Sequence, residues 1–127
     1  MSGNSKQSQK KIVAIVQARS GSTRLPGKIL KKLGSKVVLN HVLERLRMSK
    51  FIDEVTVATT TLPEDASIVT LCDTLNIRHY SGSINNVLER FFKANKFFKG
   101  DIIVRVTSDC PLVDPNLVDK CLERFLD

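Results

Sequence analysis

The sequence has little of what several classes of protein require. It contains no Trp and one Tyr, so few aromatic rings are available to stack on nucleic-acid bases. It also has no apolar run near the roughly 18 residues that a membrane-spanning helix needs. We therefore predict a partner that is neither nucleic acid nor membrane. The net charge of +7 could indicate nucleic acid, but the basic residues are spread along the chain. An anionic small-molecule substrate explains this charge equally well.

Cysteine is also scarce. Cys72, Cys110 and Cys121 are widely spaced, which suits neither a disulfide framework nor a closely spaced zinc site. Reduced thiols in a cytoplasmic protein are the expectation. Residues 1–11 are polar and lack the apolar core of a signal peptide, so they are interpreted as a flexible tail ahead of one domain at residues 12–127.

Strand and helix patterns alternate along that domain. Apolar, β-branched runs predict strands at residues 12–18, 55–60, 77–80 and 102–107. Right-handed crossovers between parallel strands then favour an α/β fold, a Rossmann-like three-layer open parallel sheet with helices on both faces. In the common 3-2-1-4 order the first and fourth strands are neighbours, and ligands bind outside their carboxyl ends.

The helices are predicted from stripes of apolar residues at one-turn spacing. Their expected apolar positions are Val38, Leu39, Val42, Leu43 and Leu46; Ile68, Leu71, Cys72 and Leu75; Val87, Leu88, Phe91 and Phe92; and Leu117, Val118, Cys121, Leu122 and Phe125. Ser81-Gly82-Ser83 is predicted to be a turn. Glu89 and Arg90 are interpreted as solvated helix charges, although either residue would also fit at the rim of the crevice.

The segment QARSGSTRLPGK, residues 17–28, follows the first strand and has the composition of a phosphate-binding loop. Its glycines permit close backbone approach, and its hydroxyl groups and cations donate hydrogen bonds to anions. The residues concerned are Arg19, Gly21, Ser22, Thr23, Arg24, Gly27 and Lys28. The alternative is a solvated basic turn. The segment is not a Walker A loop, because GxxxxGK[ST] is absent.

Asp109 directly follows the fourth strand, across the expected crevice from that loop. One carboxylate beside phosphate oxygens is a reasonable magnesium site, so Asp109 is a candidate Mg²⁺ ligand; the alternative is that it caps a turn. Asp114, just before Pro115, is better interpreted as a helix N-cap. His41 and His79 are assigned to the surface or to packing.

Taken together, four segments give the chain a resemblance to a known family. They are IVQARSGSTRLPGK, NHVLERLRMSKFIDEVTVATTTLPED, SGSINNVLERF and IIVRVTSDCPLVDP. With these, residues 12–127 resemble the cytidylyltransferase family that includes spore coat polysaccharide biosynthesis proteins and, more distantly, the enzymes that make CMP-activated deoxy-octulosonate and neuraminate sugars. The resemblance implies a fold of the nucleotide-diphospho-sugar transferase type.

The same resemblance implies an activity, a metal and a set of site residues. CMP would pass from CTP to an anionic or amino sugar in surface polysaccharide biosynthesis, with Mg²⁺ present and pyrophosphate released. By position, the residues that bind the nucleotide would be Ala18, Arg19, Gly21, Ser22, Thr23, Arg24 and Lys28. Arg19, Lys28 and Asp109 would be catalytic, and Asp109 would bind the metal.

The sequence departs from the family at Ser108, where relatives have Gly, and at Asn85-Asn86, where the polysaccharide branch has acidic residues. The chain is also about half the usual length. It is therefore expected to be a truncated form of the domain, either a fragment or a natural short form, and the apolar surface exposed by a missing half would favour association into a homodimer. Besides an enzyme, two alternatives stay open: a nucleotide-binding module without a complete catalytic site, and a basic nucleic-acid-binding domain.

Overall fold

The computed structural model describes residues 10–19, 32–33, 36–107 and 115–126. The strands in this part of the chain are β1 (Ile12–Gln17), β2 (Lys32–Leu33), β3 (Lys36–Val37), β4 (Glu54–Thr60), β5 (His79–Gly82) and β6 (Ile102–Thr107). The α-helices are α1 (Val38–Arg47), α2 (Ala66–Thr74), α3 (Val87–Phe98) and α4 (Pro115–Leu126), and a 3-10 turn at Pro63–Asp65 leads into α2.

The four longer strands form one parallel sheet in the order β5-β4-β1-β6. Counted along the chain, this is the predicted 3-2-1-4 order. Strand β1 pairs with β6 from Ile12↔Ile102 to Gln17↔Thr107, so the two strands end side by side. The strands β2 and β3 form a separate antiparallel pair. The α/β architecture predicted from the alternating pattern is therefore confirmed.

Helices cover both faces of this sheet. Because side chains alternate along a strand, Ala14 and Val16 of β1 face a cluster shared with α1 and α2, whereas Val13 and Ile15 face α3 on the opposite side. Val118 of α4 packs against the first cluster. Helix α3 thus forms one outer layer and the other three helices form the second. The three-layer arrangement follows from this division.

Helix α1 matches its predicted stripe, because all five of its apolar positions are buried. In α2, Ile68 and Cys72 are buried and Leu71 and Leu75 are partly buried, also as predicted. Strand β5 differs from its prediction at residues 77–80. Pairing with Thr59 and Thr60 of β4 extends the strand to Ser81 and Gly82, so the predicted turn at these two residues is wrong.

Helix α3 matches its predicted apolar positions only in part, because Phe91 is partly buried against the cluster of Val13 and Ile15 while other positions face outward. Leu88 is 73% exposed and Phe92 is 63% exposed, while Arg90, Ala94 and Phe98 are buried. The side chain of Asn86 caps the helix by accepting a hydrogen bond of 2.9 Å from the backbone N–H of Glu89. The interpretation of Arg90 as a solvated charge is therefore wrong.

Helix α4 begins at Pro115 as predicted, but its apolar stripe is only partly buried. Leu122 is buried and Val118 is partly buried, whereas Leu117 and Cys121 are exposed. The Asp119 carboxylate fixes the helix to the segment after α1 by accepting from the backbone N–H of Lys50 at 2.9 Å and from the Ser49 hydroxyl. Among the described helices, none has the length and apolar character required to cross a membrane.

Candidate functional site

The predicted crevice lies where β1 and β6 end, and two of the predicted site residues are described there. Ala18 is buried, and its backbone N–H donates to the carbonyl oxygen of Ala58 at 2.9 Å, which holds the chain against the end of β4. Arg19 follows directly. The other predicted site residues, Gly21, Ser22, Thr23, Arg24, Lys28 and Asp109, lie outside the described residues, as does Asp114.

Arg90 is the central side chain of the described part of the crevice. It reaches from α3 to the sheet and is only 2% exposed. Its Nη1 donates to the carbonyl oxygen of Ser83 at 2.8 Å, and its Nε and Nη2 donate to Oε1 of Gln17 at 3.3 and 3.2 Å. One guanidinium therefore connects the end of β1, the segment after β5 and helix α3.

The surroundings of Arg90 are rich in positive charge. Burial lowers the pKa of Arg90, and the nearby charges of Arg19 and Arg105 lower it further, while Asp65 opposes them. Arg105 of β6 lies on the face of the sheet that α3 covers. Its guanidinium is 5.7 Å from the ring centre of Phe91. Because Arg19 and Arg105 disfavour the charged form of Arg90, an anion bound beside these arginines would relieve the repulsion on it.

Among the described residues near Arg90, Asp65 supplies a negative charge. Its side chain is fully buried. It accepts a hydrogen bond from the hydroxyl of Thr60, the last residue of β4. The sequence predicted Asp65 only as an acid near the start of a helix. Its position instead brings a carboxylate close enough to attract Arg90, so it offsets part of the excess positive charge.

Gln17 and Asp65 are functional candidates that sequence reasoning did not select, and Arg90 was considered only as an alternative at the rim of the crevice. Gln17 stood in the quoted loop motif, but nothing local distinguished it from a strand residue. Arg90 had one available signal, because it lies one turn before Ala94 and two before Phe98 on a single helical face. A charged residue on a buried stripe is unusual and indicates a partner elsewhere in the chain.

Within the described residues there is no group of three or more His, Cys, Asp or Glu side chains able to hold a metal ion. The described side of the crevice thus supplies cations and amides rather than a metal site. The predicted Mg²⁺ ligand Asp109 lies outside the described residues, so the metal stays a proposal that depends on that residue.

The described cysteines and histidines have no arrangement typical of a nucleophile. Cys72 and Cys121 are free thiols, and burial raises the pKa of Cys72 to about 12, which suppresses its thiolate. His79 contacts the Asp73 carboxylate at 3.1 Å near the edge of the sheet. These contacts agree with the structural interpretation of His79.

Comparison with known proteins shows similarity to one family over almost the whole chain. The family model described as "Cytidylyltransferase" matches residues 13–127. The spore coat polysaccharide biosynthesis protein SpsF of Bacillus subtilis is 39% identical over 120 residues, which cover 91% of this chain and 50% of that protein.

Two solved structures share the fold. A cytidylyltransferase from Leptospira borgpetersenii serovar Hardjo-bovis is 40% identical and superposes with a TM-score of 0.88, covering 93% of this chain and 50% of that one. A CMP:2-keto-3-deoxy-manno-octonic acid synthetase complexed with CTP is 26% identical, with a TM-score of 0.78, and covers 91% and 47% of the two chains. The present chain spans about half the length of the curated relatives it matches.

Proposed function

Because this chain belongs to the cytidylyltransferase family, we propose that it binds CTP at the carboxyl ends of β1 and β6 and transfers CMP from CTP to a sugar. The observation that carries the proposal is the group of Arg19, Arg90 and Arg105 at the edge of the sheet where the predicted phosphate-binding loop begins. A triphosphate is negatively charged and therefore complements the positive charge of these three arginines. The solved relative complexed with CTP supports the choice of nucleotide.

The proposed reaction is an in-line displacement at phosphorus. An oxygen of the acceptor sugar attacks the α-phosphorus of CTP, the new P–O bond forms as the bond to the β-phosphate oxygen breaks, and pyrophosphate leaves. The proposed role of Arg19 is to bind the triphosphate and stabilise the negative charge that moves onto pyrophosphate. The acceptor is proposed to be an anionic or amino sugar of a surface polysaccharide, by analogy with the named relatives.

Mg²⁺ is part of the proposal and would be held by Asp109 together with phosphate oxygens and water. The described residues provide no further cluster of ligands. When bound, such an ion would neutralise phosphate charge. Replacing the carboxylate in Asp109→Asn is expected to abolish metal-dependent turnover without unfolding the protein, as measured by pyrophosphate release and by circular dichroism; unchanged release would contradict the assignment of Asp109.

A second candidate function is nucleotide binding without turnover. It is favoured by one observation: the described side of the crevice offers arginines that can hold an anion, and binding of an anion does not by itself require a catalytic group. Titration calorimetry with CTP, followed by a pyrophosphate-release assay over candidate sugars, separates the two candidates. Binding with release supports the transferase, and binding without release supports the module.

The binding test has a matched pair of variants. Arg19→Met removes a cation at the crevice, whereas Arg78→Met removes one at the opposite, amino end of the sheet, where Arg78 pairs with Glu54 at 2.6 Å. We expect Arg19→Met to weaken CTP binding by about tenfold or more, the effect of losing one charge-assisted hydrogen bond. Arg78→Met should bind CTP normally. Tight, salt-dependent binding of oligonucleotides in place of CTP would overturn the proposal.

A further inference from the structure

We propose that Arg90 is a positioning residue for Gln17, and that the side-chain Nε2 of Gln17 donates a hydrogen bond to an acceptor oxygen or nitrogen of the bound nucleotide. This inference rests on the proposed function, because it assigns a contact within the same site. It goes beyond that function by naming two residues outside the predicted loop and giving each a separate role.

The contacts of Arg90 determine how the Gln17 amide is oriented. A guanidinium has only donors, so the atom of Gln17 that faces it must be the oxygen. Oε1 accepts from both Nε and Nη2 of Arg90, at 3.3 and 3.2 Å. The amide nitrogen is then directed away from Arg90. This orientation follows from the chemistry of the pair alone.

Among the residues that the structure describes, the buried amide nitrogen has no hydrogen-bond partner. Buried polar groups in proteins nearly always have a partner, and an exception requires an explanation. Gln17 ends β1, pairs in register with Thr107 of β6, and directly precedes Ala18 and Arg19 of the predicted nucleotide-binding loop. A ligand at this position would supply the acceptor that the described residues do not.

The burial of Arg90 supports a functional role for the pair. Its hydrogen-bond acceptors are a neutral amide and a neutral carbonyl, and its neighbours Arg19 and Arg105 repel it, while Asp65 is the described group that attracts it. A buried charge with neutral acceptors contributes little to stability compared with an apolar side chain of the same shape. The stem of Arg90 is also closely packed, since a Cβ added to Gly82 would lie 3.2 Å from its Cγ. The guanidinium is therefore fixed rigidly where it orients Gln17.

Two substitutions at Gln17 separate the donor from the rest of the side chain. Gln17→Glu keeps an oxygen for Arg90 and replaces the NH₂ donor with a second oxygen. Gln17→Met removes both groups without adding charge. We expect Gln17→Met to bind CTP about tenfold more weakly than the wild type, and Gln17→Glu to bind it at least as weakly because its carboxylate also repels the triphosphate. The urea midpoint of Gln17→Glu should not fall below that of Gln17→Met, because the bonds to Arg90 are kept.

Asn76→Asp is the matched control for the amide-to-carboxylate exchange. Asn76 is exposed and lies beyond α2, near the amino end of the sheet, so this variant should bind CTP normally. Titrations with cytidine and with inorganic tripolyphosphate then locate the acceptor. Weaker binding of cytidine by Gln17→Met assigns it to the base or ribose, and weaker binding of tripolyphosphate assigns it to a phosphate. No change with either probe overturns the inference.

The positioning role of Arg90 requires a double-mutant cycle. Arg90→Met keeps the stem that packs on Gly82 but releases the Gln17 amide. If Arg90 acts through Gln17, the double variant Arg90→Met/Gln17→Met should bind cytidine or tripolyphosphate no more weakly than the weaker single variant. Additive losses would show that Arg90 acts independently, and normal binding by Gln17→Glu would show that the amide donor is not used. Failure of the wild-type protein to bind CTP would contradict the proposed function itself.

Discussion

The addition of one methyl group at Gly100 is expected to lower the stability of the protein substantially. In Gly100→Ala the new Cβ would lie 2.9 Å from both Cβ and Cγ2 of Val13 and 2.6 Å from Cδ1 of Ile103. Val13 is fully buried in the central strand β1, so it cannot move aside. Overpacking of this kind costs about 1–3 kcal/mol, while the stiffer unfolded chain of an alanine variant offsets about 0.4–1 kcal/mol. A net loss of about 1–2 kcal/mol is expected.

Urea denaturation followed by circular dichroism measures this loss. With a slope of about 2 kcal/mol per molar, the midpoint should fall by about 0.5–1 M without a change in slope. Ile103→Val removes the Cδ1 atom and should restore part of the loss in the double variant. Unchanged stability of Gly100→Ala would refute the close packing between the start of β6 and β1.

Gly82→Ala is a matched glycine substitution at the other end of the sheet. Its Cβ would lie 2.8 Å from the ring of Tyr80 and 3.2 Å from Cγ of Arg90. We therefore expect this variant to weaken CTP binding through Arg90, whereas Gly100→Ala should change stability with little effect on binding. Equal binding losses in both variants would contradict the location of the site at the carboxyl end.

Two further predictions concern the cap of α3 and the amino end of the sheet. Lys99 caps the end of α3 in the left-handed region, with φ 59° and ψ 44°. Because glycine adopts this conformation without strain, Lys99→Gly should raise the free energy of unfolding by up to about 1 kcal/mol. Urea denaturation measures this change, and a lower midpoint would contradict it. The hydrogen bond from Arg78 lowers the pKa of Glu54, so the ionised Glu54 stabilises the folded protein. This stabilisation is fully present above the ordinary glutamate pKa of about 4.3 and is lost as the pH falls through the lower pKa of the folded state. Urea midpoints between pH 7 and pH 3 should therefore fall less for Glu54→Gln than for the wild type, and an identical pH dependence would refute the linkage.

Much of the architecture could be predicted because it depends on local patterns. The buried run at residues 12–17 predicts a covered strand, and the stripe in α1 has the helical period, so each element is recognisable from its own residues. The strand order was predicted as the common one for doubly wound sheets with right-handed crossovers, and this needs no knowledge of side-chain contacts. The edge of the sheet that holds the candidate site was thereby located from the sequence.

The two-residue extension of β5 could not be predicted from local patterns. Ser81 and Gly82 favour a turn by composition, and only pairing with Thr59 and Thr60 makes them part of a strand. Hydrogen bonds to a neighbouring strand are contributed by distant residues. Local propensity is a weak guide wherever such bonds are available.

The sequence by itself determined the fold class and the alternation of strands and helices, and the common order of such sheets placed Gln17 at the end of a strand beside β6. Only the tertiary structure decided which face of α3 meets the sheet, and thus that Arg90 is buried while Leu88 and Phe92 are exposed. The physical reason is that a guanidinium can be buried only where acceptors are available. Gln17 and Ser83 supply those acceptors, and they meet Arg90 only after the sheet has formed.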